Sequence, residues 1–380
     1  MEQVRLGIIG CGNISDAYLK GAARSRLVAV KSVADLVPEA AARRAQEHEV
    51  EAVPVERMLT DPEITIVINL TVPLAHAETS RQAIAAGKHV YSEKPLAATF
   101  AEGRELAEAA RVQGVRLGSA PDTFIGAGHQ AARYAIDEGR IGRVVGGAVC
   151  FAGPGMEGWH PNPTFFFKRG GGPVLDIGCY PITQLVNCIG PVTSVVARGS
   201  RAHETRTVTS EPRRGEVIEV EVATTVNGVL GFASGANVAL TVSWDIWKHS
   251  RLPIELYGTE GSLLNPDPNF FGGPTRISAR GGDWRDLPLD PHPFGRPTRK
   301  NNAGNEVADY RMVGVFDMAC AIVQGRLHRA SGELALHVLE VMEALERSAL
   351  EGREVAIETS CERPEPVPLG TGEEVFLKRH

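Results

Sequence analysis

The chain has 380 residues, a net charge of −6, 43% hydrophobic and 23% charged residues, proportions that fit a globular protein with room for two domains. The acidic excess and the lack of a Lys/Arg-rich stripe exclude a nucleic-acid or anionic-membrane binder, and no apolar run reaches the ~18 residues of a membrane helix. Six cysteines (11, 150, 179, 188, 320 and 361) without CxxC spacing, and an N-terminus without signal-peptide features, predict reduced thiols in a cytoplasmic protein with no disulfide frame and no metal.

The chain opens on an apolar strand, Val4 to Ile9 of VRLGIIGCGNIS, followed by a glycine turn and an amphipathic helix. Gly10, Gly12 and Ser15 occupy the positions of G-x-G-x-x-G, with serine in place of the third glycine. The first glycine permits the turn and the second lets backbone approach a pyrophosphate, which the free amides of Asn13 and Ile14 at the helix start would bind. A second strand, LVAVKSVAD, ends at Asp35, 23 residues after Gly12. A carboxylate there binds the adenosine ribose and repels a 2′-phosphate, favouring NAD over NADP. The other reading of Asp35 is a cap for the following helix. Lys31 and Arg43 are not expected to rescue NADP.

ITIVINLTVP is the next buried strand, and Thr71, Pro73 and His76 follow its end. KHVYSE comes after it and leads into Glu93, Lys94 and Pro95, with a cis peptide expected before the proline. VRLGSAP closes the first sheet. Continuous apolar runs mark strands covered on both faces, and ligands of such sheets bind at the strands' carboxyl ends. Glu93 there is a candidate for the nicotinamide ribose or, alternatively, a partner of Lys88 or Arg116. The expected division is a Rossmann domain over 1–120 and a second domain over 121–380. The second is β-rich, with VVGGAVCFA, VTSVVARGS, GEVIEVEVATTV, VLGFASG, VALTVSWDI and LPIELYG separated by turn residues. Between its first two strands, GGGPVLDIGCYPITQLVNCIG predicts a helix starting near Pro173 and broken near Gly178, with Asp176 and Tyr180 on one face.

Gly10-Cys11-Gly12-Asn13, TVPLAH (71–76), SEKPLAAT (92–99), GGGPVLDIGCYPITQLVNCIGPV (170–192) and GELALHVLEVMEALERSALEGREV (332–355), in this order, resemble the glucose–fructose oxidoreductase/inositol dehydrogenase/MocA family, in its tyrosine-bearing branch. The resemblance implies a doubly wound Rossmann sheet followed by an α+β domain on a large, open, mostly antiparallel sheet. It also implies homodimers or homotetramers associating through that sheet. By the same resemblance, Lys94, Asp176 and Tyr180 map onto the family's catalytic groups, with a sugar or polyol as substrate and NAD as cofactor. Tyr180 would hold the reacting hydroxyl, with its pKa of ~10 lowered by the Lys94 ammonium, or Lys94 would itself take the proton. Asp176 would anchor a neighbouring hydroxyl. Two other activities fit the same residues: redox-neutral glycoside cleavage or elimination through a transient keto-sugar, and a non-catalytic nucleotide or sugar sensor.

Further substrate candidates are Trp159, His160 and Lys168, upstream of the broken helix, and Asp122. Residues 265–304, rich in Gly and Pro, are too long for an idle connection and are expected to form a lid or an arm to another subunit. Arg311 and Asp317 are expected in the pocket or as an ion pair with each other.

Overall fold

The computed structural model describes residues 3–301 and 304–378. Its first part alternates strands and helices: β1 (Val4–Ile9), α1 (Asn13–Ala23), β2 (Val28–Ala34), α2 (Pro38–His48), β3 (Glu51–Ala52), α3 (Val55–Thr60), β4 (Ile66–Asn69), α4 (Pro73–Ala85), β5 (His89–Ser92), α5 (Phe100–Gln113) and β6 (Leu117–Ser119). The six strands pair in the order β3-β2-β1-β4-β5-β6, all parallel. The order reverses direction between β1 and β4, the point where sheets of this kind bind ligands at the strands' carboxyl ends. Leu6, Ile8, Ile66, Val67, Ile68 and Val90 are buried under helices on both faces, hence their unbroken apolar runs. Local signals set the helix ends. In α5, Thr99 and Glu102 form a reciprocal cap, and Gly114 ends the helix in the left-handed conformation.

The second part begins with α6 (Ala127–Asp137), β7 (Val144–Ala152), α7 (Pro173–Ile177) and α8 (Cys179–Ile189). Next come β8 (Val192–Ser200), β9 (Thr205–Thr207), β10 (Val217–Glu219), β11 (Thr225–Phe232), β12 (Asn237–Ser243), β13 (Ile254–Gly258), β14 (Gly261–Asn265), β15 (Arg276–Ala279), β16 (Arg285–Asp286), β17 (Arg299–Lys300) and β18 (Glu306–Val307). The chain then forms α9 (Val313–Gln324), α10 (Gly332–Glu351) and β19 (Val355–Ala356). Nine strands build one sheet in the order β16-β15-β14-β13-β7-β12-β11-β8-β19. It is antiparallel except where β12 runs parallel to β7. One face packs on α7, α8 and α10. GEVIEVEVATTV is not one strand of it: β10 leaves to pair with β9 in a separate hairpin. There Ile218 and Val220 join Phe166, Phe167, Val208 and Trp244 in a satellite core.

The described residues of 265–304 are not a free loop. They carry β15 and β16, which extend the sheet, and they bury Phe271 and Phe294. Their backbone is held by α6, with Gly128 N donating to the Phe271 carbonyl. A Cβ on Gly126 would meet that carbonyl at 2.2 Å, so glycine permits the close approach. Gly/Pro content reflected this tight packing, not freedom. Trp284, between β15 and β16, is half-exposed.

Two elements tie the parts together. Helix α10 packs on β8, α8 and α5, and its Glu343 accepts the Phe100 amide at the start of α5. The last described residues return to the first part: Leu377 pairs with Ser25, Arg26 N donates to Phe376 O, and Lys378 N to Arg24 O. Among the described residues, no helix is long and apolar enough to cross a membrane.

Candidate active site

The glycine turn closes against β4. Gly10 has φ +102°, and a Cβ there would lie 2.5 Å from the Leu70 carbonyl, so only glycine fits. Gly12 has φ −71° and no atom within 4 Å of its Cβ position, leaving open space before its backbone. Ser15 is buried and donates to the Gly12 carbonyl at 2.6 Å, fastening the turn where a third glycine was absent. Asp35 sits just past β2. Its Oδ2 accepts the Cys11 amide at 2.7 Å and its Oδ1 the Val37 amide at 2.8 Å. It does not cap α2, whose cap is Val37. Lys31 is held by Asp61 and Glu63, away from Asp35's partners.

Leu36, Val72 and Leu74 are 95, 66 and 80% exposed beside these strand ends, an apolar lining of the kind a flat aromatic group covers. The glycine cradle, the Asp35 carboxylate and these side chains fit a dinucleotide. Asn13 is exposed, Ile14 and Pro73 are half-buried, and the Thr71 hydroxyl donates to Asn69. His76 is buried, its ring between the carbonyls of Pro95 (2.7 Å) and Thr71 (3.0 Å). It therefore braces the two loops and does not face the crevice.

Lys94 follows β5, before a cis Lys94–Pro95 bond. Its ammonium crosses to the second part of the chain, donating to Asp176 Oδ1 and to the Asp176 carbonyl, both at 2.8 Å. Asp176 lies near the end of α7 and Tyr180 near the start of α8. Gly178 separates them, and a Cβ there would be 2.4 Å from the Val174 carbonyl. Pro181 lies in the first turn of α8, where a missing N–H is tolerated. Lys94 Nζ lies 5.5 Å from the centroid of the Tyr180 ring, whose other neighbour is the edge of Phe151.

Lys94 acts to lower the Tyr180 pKa, as expected, but burial outweighs it. Burial pushes the Tyr180 phenol above its usual value, and Lys94 and Arg311 oppose this without cancelling it. Burial works against the Lys94 ammonium, but the Asp176 carboxylate, with Tyr180 and Cys179, outweighs it and holds Lys94 well above an ordinary lysine. Both groups therefore keep their protons at neutral pH, and Lys94 is no neutral base in this arrangement.

Several expected contacts resolve differently. Glu93 pairs with neither Lys88 nor Arg116; it accepts the Tyr18 hydroxyl at 2.8 Å and the Lys94 amide at 3.0 Å. Lys168 is engaged by Glu221 at 2.8 Å. Arg311 and Asp317 do not pair with each other. Arg311 meets Asp309 at 3.4 Å, and Asp317 is held by Arg326 and Arg329. Trp159 is 57% exposed and stacks edge-on with His160, whose ring also meets Phe165 and Phe166. Burial lowers the His160 pKa, and the Asp176 carboxylate is among the groups that oppose it, so this aromatic group stands near the Lys94–Asp176 pair. Asp16, Glu47 and His48 lie close enough to share a cation, but Lys20 and Arg44 already bond the two carboxylates. All six cysteines are buried and unpaired.

Tyr18 and Arg44 were missed. Arg44 donates to Ser15 Oγ and the Gly12 carbonyl, bracing the turn from α2. The available signal for Tyr18 was its place one helical turn after Ile14, on a face directed at the sheet.

Asp122 is 2% exposed, and its Oδ2 accepts the Gly314 amide at 2.6 Å. It anchors the start of α9. Burial raises its pKa from 3.8 to about 6. The folded state thus keeps a proton that the unfolded state releases first, so stability from this group is lost as pH rises from about 4 to 6. Asp122→Asn keeps an acceptor for Gly314 without this penalty. Urea unfolding at pH 4 and pH 7 should show the variant gaining on the parent by roughly 2 kcal/mol between the two; an equal difference at both would refute the assignment.

Comparison with known proteins gives a consistent set of matches. Residues 4–120 match the family described as oxidoreductase family, NAD-binding Rossmann fold, and residues 129–264 match the GFO/IDH/MocA C-terminal domain. The chain is 32% identical over 268 residues to 1,5-anhydro-D-fructose reductase of Ensifer adhaerens, covering 68% of this chain and 75% of that one. It is 31% identical over 156 residues to D-xylose dehydrogenase of Paenarthrobacter nicotinovorans, 40% of each chain. Levoglucosan dehydrogenase solved with NADH and L-sorbose superposes with a TM-score of 0.79 at 22% identity, over 94% of this chain and 99% of that one.

Proposed function

Because this chain belongs to the GFO/IDH/MocA oxidoreductase family, we propose that it moves a hydride between NAD and a secondary hydroxyl, or the matching carbonyl, of a sugar or polyol. At the level of class it is an NAD-dependent sugar oxidoreductase. The observation that carries the finer reading is the Lys94 ammonium held at 2.8 Å on Asp176 beside the Tyr180 ring. The same reading divides the chain into an NAD-binding domain, 1–120, and a substrate-binding and association domain, 121–380.

Gly10, Gly12 and the amides of Asn13 and Ile14 would hold the pyrophosphate, Asp35 the adenosine ribose, and Thr71, Pro73 and Glu93 the nicotinamide half. Once bound, NAD supplies the hydride acceptor, or NADH the donor. Tyr180 and Lys94 bind the oxygen of the reacting carbon. Asp176 orients Lys94 and accepts from a neighbouring hydroxyl, while Trp159 and His160 pack against the sugar's C–H face. With both Lys94 and Tyr180 protonated, the set is ready to give a proton to a carbonyl oxygen. In the oxidative direction one of these groups must first lose its proton, so that rate should climb with pH while reduction is favoured at lower pH.

The test is a panel of free sugars, anhydro-sugars and polyols, with their keto forms, followed at the absorbance band of the reduced cofactor. Turnover by at least one, faster with NAD(H) than NADP(H), is the expected result. Silence across the panel with NADH binding intact would remove the finer reading. We also propose association into a homodimer or homotetramer through the uncovered face of the nine-stranded sheet, where Val145, Val196, Val229 and Tyr257 are 38–44% exposed; sedimentation of the parent against Val229→Glu measures it.

A further inference from the structure

Tyr18 lies on α1, the helix that opens at the nucleotide turn, and it is 1% exposed. The same face of the helix is held a turn further on. A Cβ on Gly21, one turn on, would meet the Arg311 carbonyl at 2.7 Å, so α1 is pressed against the segment entering α9. From that position the phenol reaches the end of β5 and donates to Glu93 Oε1 at 2.8 Å. The other oxygen of the same carboxylate accepts the Lys94 amide at 3.0 Å. Glu93 is itself 9% exposed, so both bonds are made where water competes poorly. Lys94 then reaches Asp176 through Nζ. An unbroken series of contacts runs from α1 through a hydroxyl, a carboxylate and a main-chain amide to the ammonium of the reacting pair.

We propose that Tyr18 is a positioning residue for the reaction: through Glu93 it fixes the backbone of Lys94, and so sets where the ammonium meets Asp176 and the substrate oxygen. The proposal rests on the reading of Lys94 as part of the reacting set. Without the hydroxyl, Glu93 Oε1 is left unpaired in a buried site, and the carboxylate turns to find another partner. In turning it gives up its hold on the Lys94 amide, and the backbone that carries the ammonium is no longer fixed. A displacement of about 1 Å at a reacting group is enough to cost up to about a hundred-fold in rate, whereas sugar contacts made by the second domain are untouched.

The experiment compares the full-length protein with Tyr18→Phe, Glu93→Ala and the double variant. Crystal structures of each with NADH should show Lys94 Nζ withdrawn from Asp176 in both single variants. In Glu93→Ala both acceptors are gone, so neither the Tyr18 hydroxyl nor the Lys94 amide keeps its partner. On the substrate found by the panel, kcat should fall roughly ten- to hundred-fold with the sugar KM changed less than about threefold. The double variant should be no worse than the poorer single one, since both break one series of contacts. Lys94 Nζ remaining on Asp176 in the variants overturns the proposal, as does an additive double variant. If no sugar is turned over by the parent, the reading of the reaction fails, but the crystal comparison still decides the role of Tyr18. Should Tyr18→Phe not fold, Glu93→Ala answers the same structural question.

Discussion

Lys94→Met should lose roughly 10²- to 10⁴-fold in kcat/KM while binding NADH within about threefold of the parent. The methionine keeps most of the length of the stem but removes the charge that bonds Asp176 at two oxygens and faces the Tyr180 ring. Two losses follow: a proton is no longer held at the reacting oxygen, and Asp176 is left as an unpaired, largely shielded carboxylate. The second loss also costs stability, so a thermal melt of the variant belongs beside the kinetics. NADH fluorescence titration separates cofactor binding from turnover. Near-normal turnover in this variant would falsify the catalytic assignment, and loss of NADH binding in proportion to rate would make Lys94 a cofactor ligand only.

Gly10→Ala and Gly12→Ala should fail in different ways although they stand two residues apart. At Gly10 the added methyl meets the Leu70 carbonyl at 2.5 Å, in a conformation, φ +102°, that side chains rarely adopt. Strain and overlap together predict a loss of roughly 2–5 kcal/mol, read as a lower urea midpoint. At Gly12 the methyl enters open space, so folding is unchanged. It occupies the approach to the turn, however, and NADH affinity should drop at least about tenfold, or ~1.4 kcal/mol. If Gly12→Ala binds NADH normally, the dinucleotide does not cross the turn where proposed.

Features encoded by adjacent residues were legible in the sequence. The glycine turn, Asp35 at a strand end, Pro173 at a helix start and the Asp176/Tyr180 spacing each follow from backbone geometry over a few residues. The resemblance to a family added Lys94, whose partner lies 82 positions away and which no local pattern could join to Asp176. Charges were read less well, because a side chain's type does not disclose its partner. Asp122 is bonded to an amide 192 positions on, and Lys168 to a carboxylate 53 positions on. Glu93 meets a tyrosine on α1 rather than a nearby lysine or arginine. The packing of residues 265–304 was not legible for a different reason. Glycine and proline mark both free loops and chain packed too closely for a Cβ, and only contacts such as Gly126 against Phe271 tell the two apart.

The return of the last described residues to the turn between α1 and β2 has a consequence for how this protein can be divided. A fragment stopped at residue 120 would lose Leu377 from Ser25, Ser331 from Gly118 and the whole of α10 from α5, stripping an apolar flank that water would then wet. The two lobes are therefore not interchangeable cassettes, and a chimera joining this nucleotide lobe to a foreign partner must import the closing helix and tail with it.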